Sequence, residues 1–264
     1  MIQTVMVFSP HPDDAEFHAG GTMAAMAQTG SRIIPVVVTD GRCGSFHLNG
    51  DSLAGLRAEE AREAAKALGA EPPILLGYPD MSLDGLPPGT LRQDFLRLLR
   101  TYQPDIVISP DAAGPWDVHP DHRAVAIAAS EAVLFAPLPL ASPRHAEEGL
   151  RPHFVVEKYF WTKLDHANHI VDISESMERK LAALARHESQ MRFLVEDILR
   201  QADKAGLELG ELSEIARREP ALAMRWALEA EAAEIGAKAG YRYGEAFRKV
   251  RFHPLVERLL SQKE

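Results

Sequence analysis

The chain has 264 residues, 46% of them hydrophobic and 25% charged, which is ample for a buried globular core. Its formal charge of -9 argues against a broad basic surface for nucleic acid, and its lone cysteine, Cys43, excludes an internal disulfide and a multi-cysteine zinc site. No run approaches the ~18 apolar residues of a membrane span and no signal-peptide pattern is read, so a soluble cytoplasmic protein is expected.

The first predicted element is a buried strand, Thr4-Val-Met-Val-Phe8, short and β-branched. It runs directly into His11-Pro-Asp-Asp-Ala-Glu16, which packs a histidine and three carboxylates together. Residues 17–28 read as a helix stopped by Gly30. Residues 32–39 read as a second strand, with Pro35 marking an edge or start, and 40–45 as a glycine-containing loop. A helix over 56–68 is closed by Gly69, and its acid–base pairs have helical spacing. A short strand at 73–76, a helix at 91–102 and a strand at 104–109 follow. This alternation predicts an α/β fold: a mostly parallel sheet with helices on both faces.

Residues 111–118 read as a loop containing Gly114 and Pro115. His119-Pro-Asp-His122 then opens a helix to about Phe135, with Pro120 suited to its first turn. Residues 155–161 and 169–173 read as later strands. From Ser174 to about Ala239 the chain is helical, so 174–240 is expected to be a helical C-terminal part of one domain spanning 1–264. Plain amphipathic packing accounts for that part, with a cap over a pocket or a subunit contact as the functional readings.

Ligands of open parallel sheets bind at the carboxyl ends of the strands. If the strands are neighbours, His11, Asp14 and His122 converge there. Two imidazoles and one carboxylate leave positions open on a divalent metal, which is the ligand count of a catalytic site. Asp13 beside them can take a proton from a bound water, whose pKa a metal lowers from ~15.7 toward ~7. His119, if protonated, can stabilise an oxyanion or protonate a leaving group. Asp121 can fix one ring's tautomer. Glu16 either orients a ligand or favours the helix N-terminus through its dipole. The plain reading of the first cluster is a helix cap with solvated charges.

These two motifs, His11-Pro-Asp-Asp-Ala-Glu16 and His119-Pro-Asp-His122, resemble the signature pair of the LmbE-like, or PIG-L, deacetylases. The likeness extends over about residues 2–175, through Arg57-Ala-Glu-Glu-Ala-Arg-Glu-Ala-Ala-Lys66, Leu76-Gly-Tyr-Pro-Asp80 and Pro104-Asp-Ile-Val-Ile-Ser-Pro110. It implies a Rossmann-like fold and zinc-dependent removal of acetyl from an N-acetylglucosamine-type substrate. By the resemblance His11, Asp14 and His122 bind zinc, Asp13 is the general base, and His119 steadies the tetrahedral intermediate. The stretches 171–180, His187-Glu-Ser-Gln190 and Tyr243-Gly-Glu-Ala-Phe247 are similar to the branch acting on N-acetylglucosaminyl-malate in bacillithiol synthesis. Residues 191–239 are longer than that branch carries, and the loop 41–45 departs from its pattern. Where mycothiol-pathway relatives have a tyrosine two residues before the second motif, this chain has Asp117.

Arg42, Arg57 and Arg123 are candidates for substrate binding, each against a plain surface or helix-pairing role. Cys43 reads as loop filler, His18 as a packed side chain, and His166 with His169 as a strand-edge loop. Gly20-Gly21 lacks the rest of a dinucleotide fingerprint. The expected activity is hydrolysis of an acetamido sugar by water on Zn2+, with Fe2+ or another divalent metal as the substitute. One rival is a non-haem iron(II) enzyme using the same triad, although those sit on all-β barrels. The other is a non-catalytic sugar-binding protein. The expected partner is a small amino-sugar, with neither nucleic acid nor a membrane span. A homo-oligomer is expected because family relatives are often oligomeric and the apolar helices after Ser174 offer a contact.

Overall fold

The computed structural model describes residues 2–114 and 117–260; Pro115 of the expected loop lies outside them. The elements run β1 (Thr4–Ser9), α1 (Asp14–Gln28), β2 (Arg32–Thr39), α2 (Gly50–Leu68), β3 (Ile74–Tyr78), α3 (Thr90–Tyr102) and β4 (Ile106–Pro110). They continue with α4 (Pro120–Phe135), α5 (Pro143–Glu147), β5 (Glu157–Trp161) and β6 (His169–Asp172). The last are α6 (Met177–Leu184), α7 (Glu188–Lys204), α8 (Glu211–Arg218), α9 (Pro220–Ala237), β7 (Gly244–Val250) and α10 (Pro254–Leu260). None of these helices is long and apolar enough to cross a membrane.

The strands form one sheet in the order β3-β2-β1-β4-β5-β7-β6. Pairing is parallel from β3 to β5, and β7 alone runs antiparallel to both its neighbours. The chain steps outward from β1 to β2 and β3, then returns to place β4 on the other side of β1. That reversal opens a crevice at the carboxyl ends of β1 and β4, where α/β sheets bind ligands. Both predicted motifs leave from these two ends. Pro35 pairs with Val7 of β1, while the ladder to β3 begins only at Val36. The missing N–H therefore falls outside the second ladder.

Alternation along β1 divides the core. Met6 and Phe8 pack with Val107 against α3 and α4, and Phe8 stacks on Phe95 at 4.2 Å. Val5 and Val7 pack with Ile106 and Ile108 against α1 and α2. Both faces are thus covered, which is why these strands read as continuous apolar runs. A third cluster, including Ile173, Met177, Leu181 and Leu228, ties α6 and α9 to the body.

β7 lies just beyond the helical stretch expected to about Ala239, in a segment for which no strand was predicted. Its Glu245, Arg248 and Lys249 break any apolar pattern, yet Glu245 is buried. Glu245 accepts from the N–H of Gly21 (2.9 Å) and Thr22 (2.8 Å), from the Thr22 hydroxyl (2.6 Å) and from Lys180 Nζ (2.6 Å). Lys180 also donates to the Phe17 carbonyl at 2.6 Å. A buried ion pair thereby grips the middle of α1, the helix that begins at Asp14. α1 and α2 also start earlier than predicted. Asp14 and Glu16 already lie in the first turn of α1, and Asn49 caps α2 by accepting from Ser52 N.

Candidate metal centre and active site

The turn between β1 and α1 is held from several sides. Ser9 Oγ donates to the His11 carbonyl (2.6 Å) and accepts from Ala15 N (3.2 Å). The hydroxyl and the N–H of Thr39 in β2 both donate to the Pro10 carbonyl at 2.9 Å. Asp13 sits at φ 128° and ψ -30°, a conformation costly for a residue with a Cβ. Such strain is worth about 1–3 kcal/mol and persists only where surroundings enforce it. Arg57 of α2 is one enforcer: it donates to the Pro12 carbonyl (2.6 Å) and the Gly41 carbonyl (2.9 Å), and pairs with Asp13 Oδ1 (3.1 Å). Gly41, at φ 63°, has no Cβ to collide with that guanidinium. Arg57 is buried, so it grips the motif from behind and pairs inward rather than along the helix surface.

His11, Asp14 and His122 meet, although the second histidine lies far along the chain. His11 Nδ1 is 3.1 Å from Asp14 Oδ2 and 3.2 Å from His122 Nε2, and His122 Nε2 is 3.3 Å from Asp14 Oδ2. The remaining ring nitrogens face other carboxylates: His11 Nε2 lies 3.0 Å from Asp80, and His122 Nδ1 lies 2.7 Å from Asp117. Protons belong on those outer nitrogens, which turns the lone pairs of His11 Nδ1 and His122 Nε2 toward Asp14. With the rings neutral, three lone-pair donors this close suit a shared cation; with the rings protonated, His11 and His122 are held instead by ion pairs to Asp14. Burial would lower both histidine pKa values. Hydrogen bonds donated to Asp121, Asp14 and Asp80 instead drive His11 up to about 12, and Asp14 and Asp117 drive His122 up to about 10. Burial would raise Asp14, but His122 and His11 hold it well below the usual carboxylate range. Four-coordinate zinc, with bonds of ~2.0–2.2 Å, sets its ligand atoms about 3.3 Å apart. The donor set and spacing therefore fit a small divalent cation. His119 lies within 4.8 Å of both histidines, and His11, Asp80, His119 and Asp121 form a second donor group of similar closeness.

His119 is the N-cap of α4, and its Nδ1 accepts from Asp121 N at 3.2 Å. Nε2 is left to carry the ring proton. Burial and the neighbouring His11 and His122 lower its pKa, so the ring is a neutral donor. The Asp121 carboxylate is fully buried and accepts from Met81 N (2.7 Å) and Leu83 N (3.0 Å), with His11 Nε2 at 3.4 Å. It thus faces His11 and braces the loop after β3. Asp13 is buried, and burial lifts its carboxyl to about 6 despite the opposing guanidinium of Arg57. Glu16 is buried with its carboxylate 3.7 Å from His187 Nε2. His187 is fully enclosed, and among the described residues neither ring nitrogen has a hydrogen-bond partner. The residues after it brace the same loops: Ser189 bonds Glu60, and Gln190 donates to the Gly44 carbonyl.

Asp80, Asp117 and His187 were not singled out as site residues. Asp80 had a usable signal, an acid just beyond the carboxyl end of a parallel strand. Arg42 bonds Asp40 at 2.8 Å and reaches Asp51 at 3.2 Å, and Arg123 donates to the Val118 carbonyl. A cleft of about 1270 Å³ opens beside Asp117 and His119 and reaches α9 at Glu231, Glu234 and Lys238. His18 and His169 line it, and His18 stacks on Trp161 at 5.5 Å.

The chain is similar to known proteins. The family described as "PIG-L: GlcNAc-PI de-N-acetylase" matches residues 6–133. The diacetylchitobiose deacetylase of Thermococcus kodakarensis is 35% identical over 195 residues, covering 72% of this chain and 70% of that protein. A probable N-acetyl-α-D-glucosaminyl L-malate deacetylase 2 of Bacillus anthracis is 29% identical over 226 residues, covering 82% and 92%. The structure of N,N'-diacetylchitobiose deacetylase from Pyrococcus horikoshii, bound to an inhibitor, superposes with a TM-score of 0.77 at 33% identity, covering 94% of this chain and 84% of that one.

Proposed function

The chain belongs to the PIG-L, or LmbE-like, family of de-N-acetylases, and on that premise we propose that it hydrolyses the acetamido group of an N-acetylglucosamine-type sugar or conjugate, using zinc held by His11, Asp14 and His122. The relatives' named substrates differ in what the sugar carries but share an acetylated amine on a glucosamine ring. The observation that carries the reading is the triangle of donor atoms 3.1–3.3 Å apart, with a strained carboxylate of raised pKa beside it.

When bound, the metal supplies Lewis-acid polarisation and makes water acidic enough to attack an amide at neutral pH. Asp13 does the proton work. With a pKa near 6 it is largely ionised at neutral pH, yet basic enough to accept the proton of the attacking water. The same proton then sits beside the leaving nitrogen, and its transfer releases the free amine and acetate. Arg57 keeps Asp13 in its unfavourable backbone conformation and moderates the rise in its pKa. His119, with its proton on Nε2, donates to the oxygen on which negative charge develops. Asp80 and Asp117 hold the outer nitrogens of the two histidines, so the rings do not turn away.

The test is direct. Zinc-loaded protein should release equal amounts of acetate and free amine from at least one member of an acetamido-sugar panel, and Asp13→Ala should not. No acetate from any member, or equal release by Asp13→Ala, would sink the proposal.

A further inference from the structure

We propose that His18 is a substrate-binding residue: it hydrogen-bonds the 3-hydroxyl of the reacting sugar ring and so sets how the acetamido group meets the metal triangle. The inference deepens the deacetylase reading and rests on it.

The sequence reads His18 as a packed side chain, and the fold packs one side of it. Its ring lies against Trp161, with centroids 5.5 Å apart and planes 15° from parallel. The rest of the side chain is exposed to the cleft that Asp117 and His119 also line. Trp161 is buried at the end of β5, where it pairs with Pro110, the last residue of β4. The stack therefore stands at the carboxyl edge of the sheet, on the same side as the triangle. Among the described residues, neither ring nitrogen of His18 takes part in a hydrogen bond.

Helix α1 decides where that ring stands. His18 follows Asp14 by four residues, so the two side chains share one helix face with their Cβ atoms ~5–6 Å apart. The backbone around His18 is held in place. The Phe17 carbonyl accepts from the buried ammonium of Lys180, and Glu245 accepts from the N–H of Gly21 and Thr22. Trp161 fixes the plane of the ring and leaves its nitrogen edge free. A hydrogen-bonding edge is thus set in advance, one turn from a proposed metal ligand, and little freedom is lost when a partner arrives.

Chemistry selects the partner. The surrounding fold lowers the pKa of His18; Lys180 and His122 add to the fall, while Asp14 and Glu231 oppose it. The ring is therefore neutral at neutral pH, with one N–H donor and one lone pair. A hydroxyl, itself donor and acceptor, matches both. Position selects which hydroxyl. An acetamido carbonyl at the triangle brings the sugar carbon that bears it close to Asp14. A side chain one helical turn away then reaches the substituents of the two flanking carbons. One of these is anomeric, and its oxygen is taken up in any glycoside. The other carries the 3-hydroxyl.

The experiment pairs a deletion on the protein with a deletion on the sugar. His18→Phe keeps a ring for Trp161 and removes both nitrogens. Acetate release by zinc-loaded wild-type protein and by this variant is measured on N-acetylglucosamine and on its 3-deoxy and 6-deoxy analogues. The variant should lose about three- to tenfold in kcat/KM on N-acetylglucosamine and on the 6-deoxy sugar, and nothing on the 3-deoxy sugar, at unchanged zinc content. His18→Gln, which restores a donor and an acceptor, should recover part of the loss on the two sugars that keep the 3-hydroxyl. An equal loss on all three sugars, no loss on any, or a loss that vanishes only for the 6-deoxy sugar overturns the inference. If wild-type protein releases no acetate from any of them, the deacetylase reading fails. The same cycle, read as binding by calorimetry in zinc-loaded Asp13→Asn protein, then decides the role of His18 by the same pattern.

Discussion

Replacing Glu245 by alanine should unfold the protein far more easily than any surface change. The carboxylate is 2% exposed and accepts four hydrogen bonds, one of them from the buried ammonium of Lys180. Its loss leaves Lys180 charged and buried, still donating to the Phe17 carbonyl at 2.6 Å. Breaking such a pair from one side costs about 3–5 kcal/mol, because the survivor stays desolvated. For a chain of this size each kcal/mol lowers the melting temperature by about 2–4 °C, so a fall of roughly 6–20 °C is expected. Urea unfolding should show a lower midpoint with an unchanged slope. The double variant Lys180→Met with Glu245→Leu removes both charges and should be clearly more stable than Glu245→Ala alone. If the single variant costs less than about 1 kcal/mol, or the double variant is the worse of the two, the ion pair is not what grips α1.

The site yields further expectations. Asp13→Asn should lower kcat by about 10²–10⁴ while zinc content, read by atomic absorption, stays at the wild-type level. Asp117→Asn removes the carboxylate on His122 Nδ1 and should weaken metal binding by about 10–100-fold in a chelator competition; unchanged affinity would deny Asp117 that role. Asp13 must be ionised to act, and burial raises its pKa to about 6. Activity should therefore be full above that value and fall as pH drops through it. Arg57 opposes the rise, so Arg57→Met should move the acid limb of the kcat/KM profile to higher pH. A limb that stays in place would show the two groups to be uncoupled.

The sequence carried the sheet well where both faces are buried. β1, β2 and β4 are runs of apolar residues, and the helices between them have clear periodicity and stop signals. β7 was illegible because it buries a glutamate, Glu245, alongside Phe247, and that glutamate's partner, Lys180, sits on a helix sixty-five residues away. No local pattern encodes such a pair. The convergence of His11, Asp14 and His122 was legible because the three sit in two dense motifs at strand ends. Asp80 and Asp117 were not, since each is a single acid in a loop whose meaning comes from which histidine nitrogen it meets. His187 looked like any helix-flanking histidine until the fold enclosed it beside Glu16.

Asp172 and Gly244 are register partners across the β6–β7 pair. The chain thus leaves the sheet for α6 to α9 and returns beside its point of departure. Such an excursion can lengthen or shorten with little cost in loop entropy. The proposed ligands and Asp13 all lie within residues 11–122, whereas α9 forms the far wall of the cleft. The proposed chemistry and the far wall of the cleft therefore lie on separable stretches of chain. Exchanging residues 205–239 for another helical pair should therefore reshape the cleft wall without rebuilding the triangle.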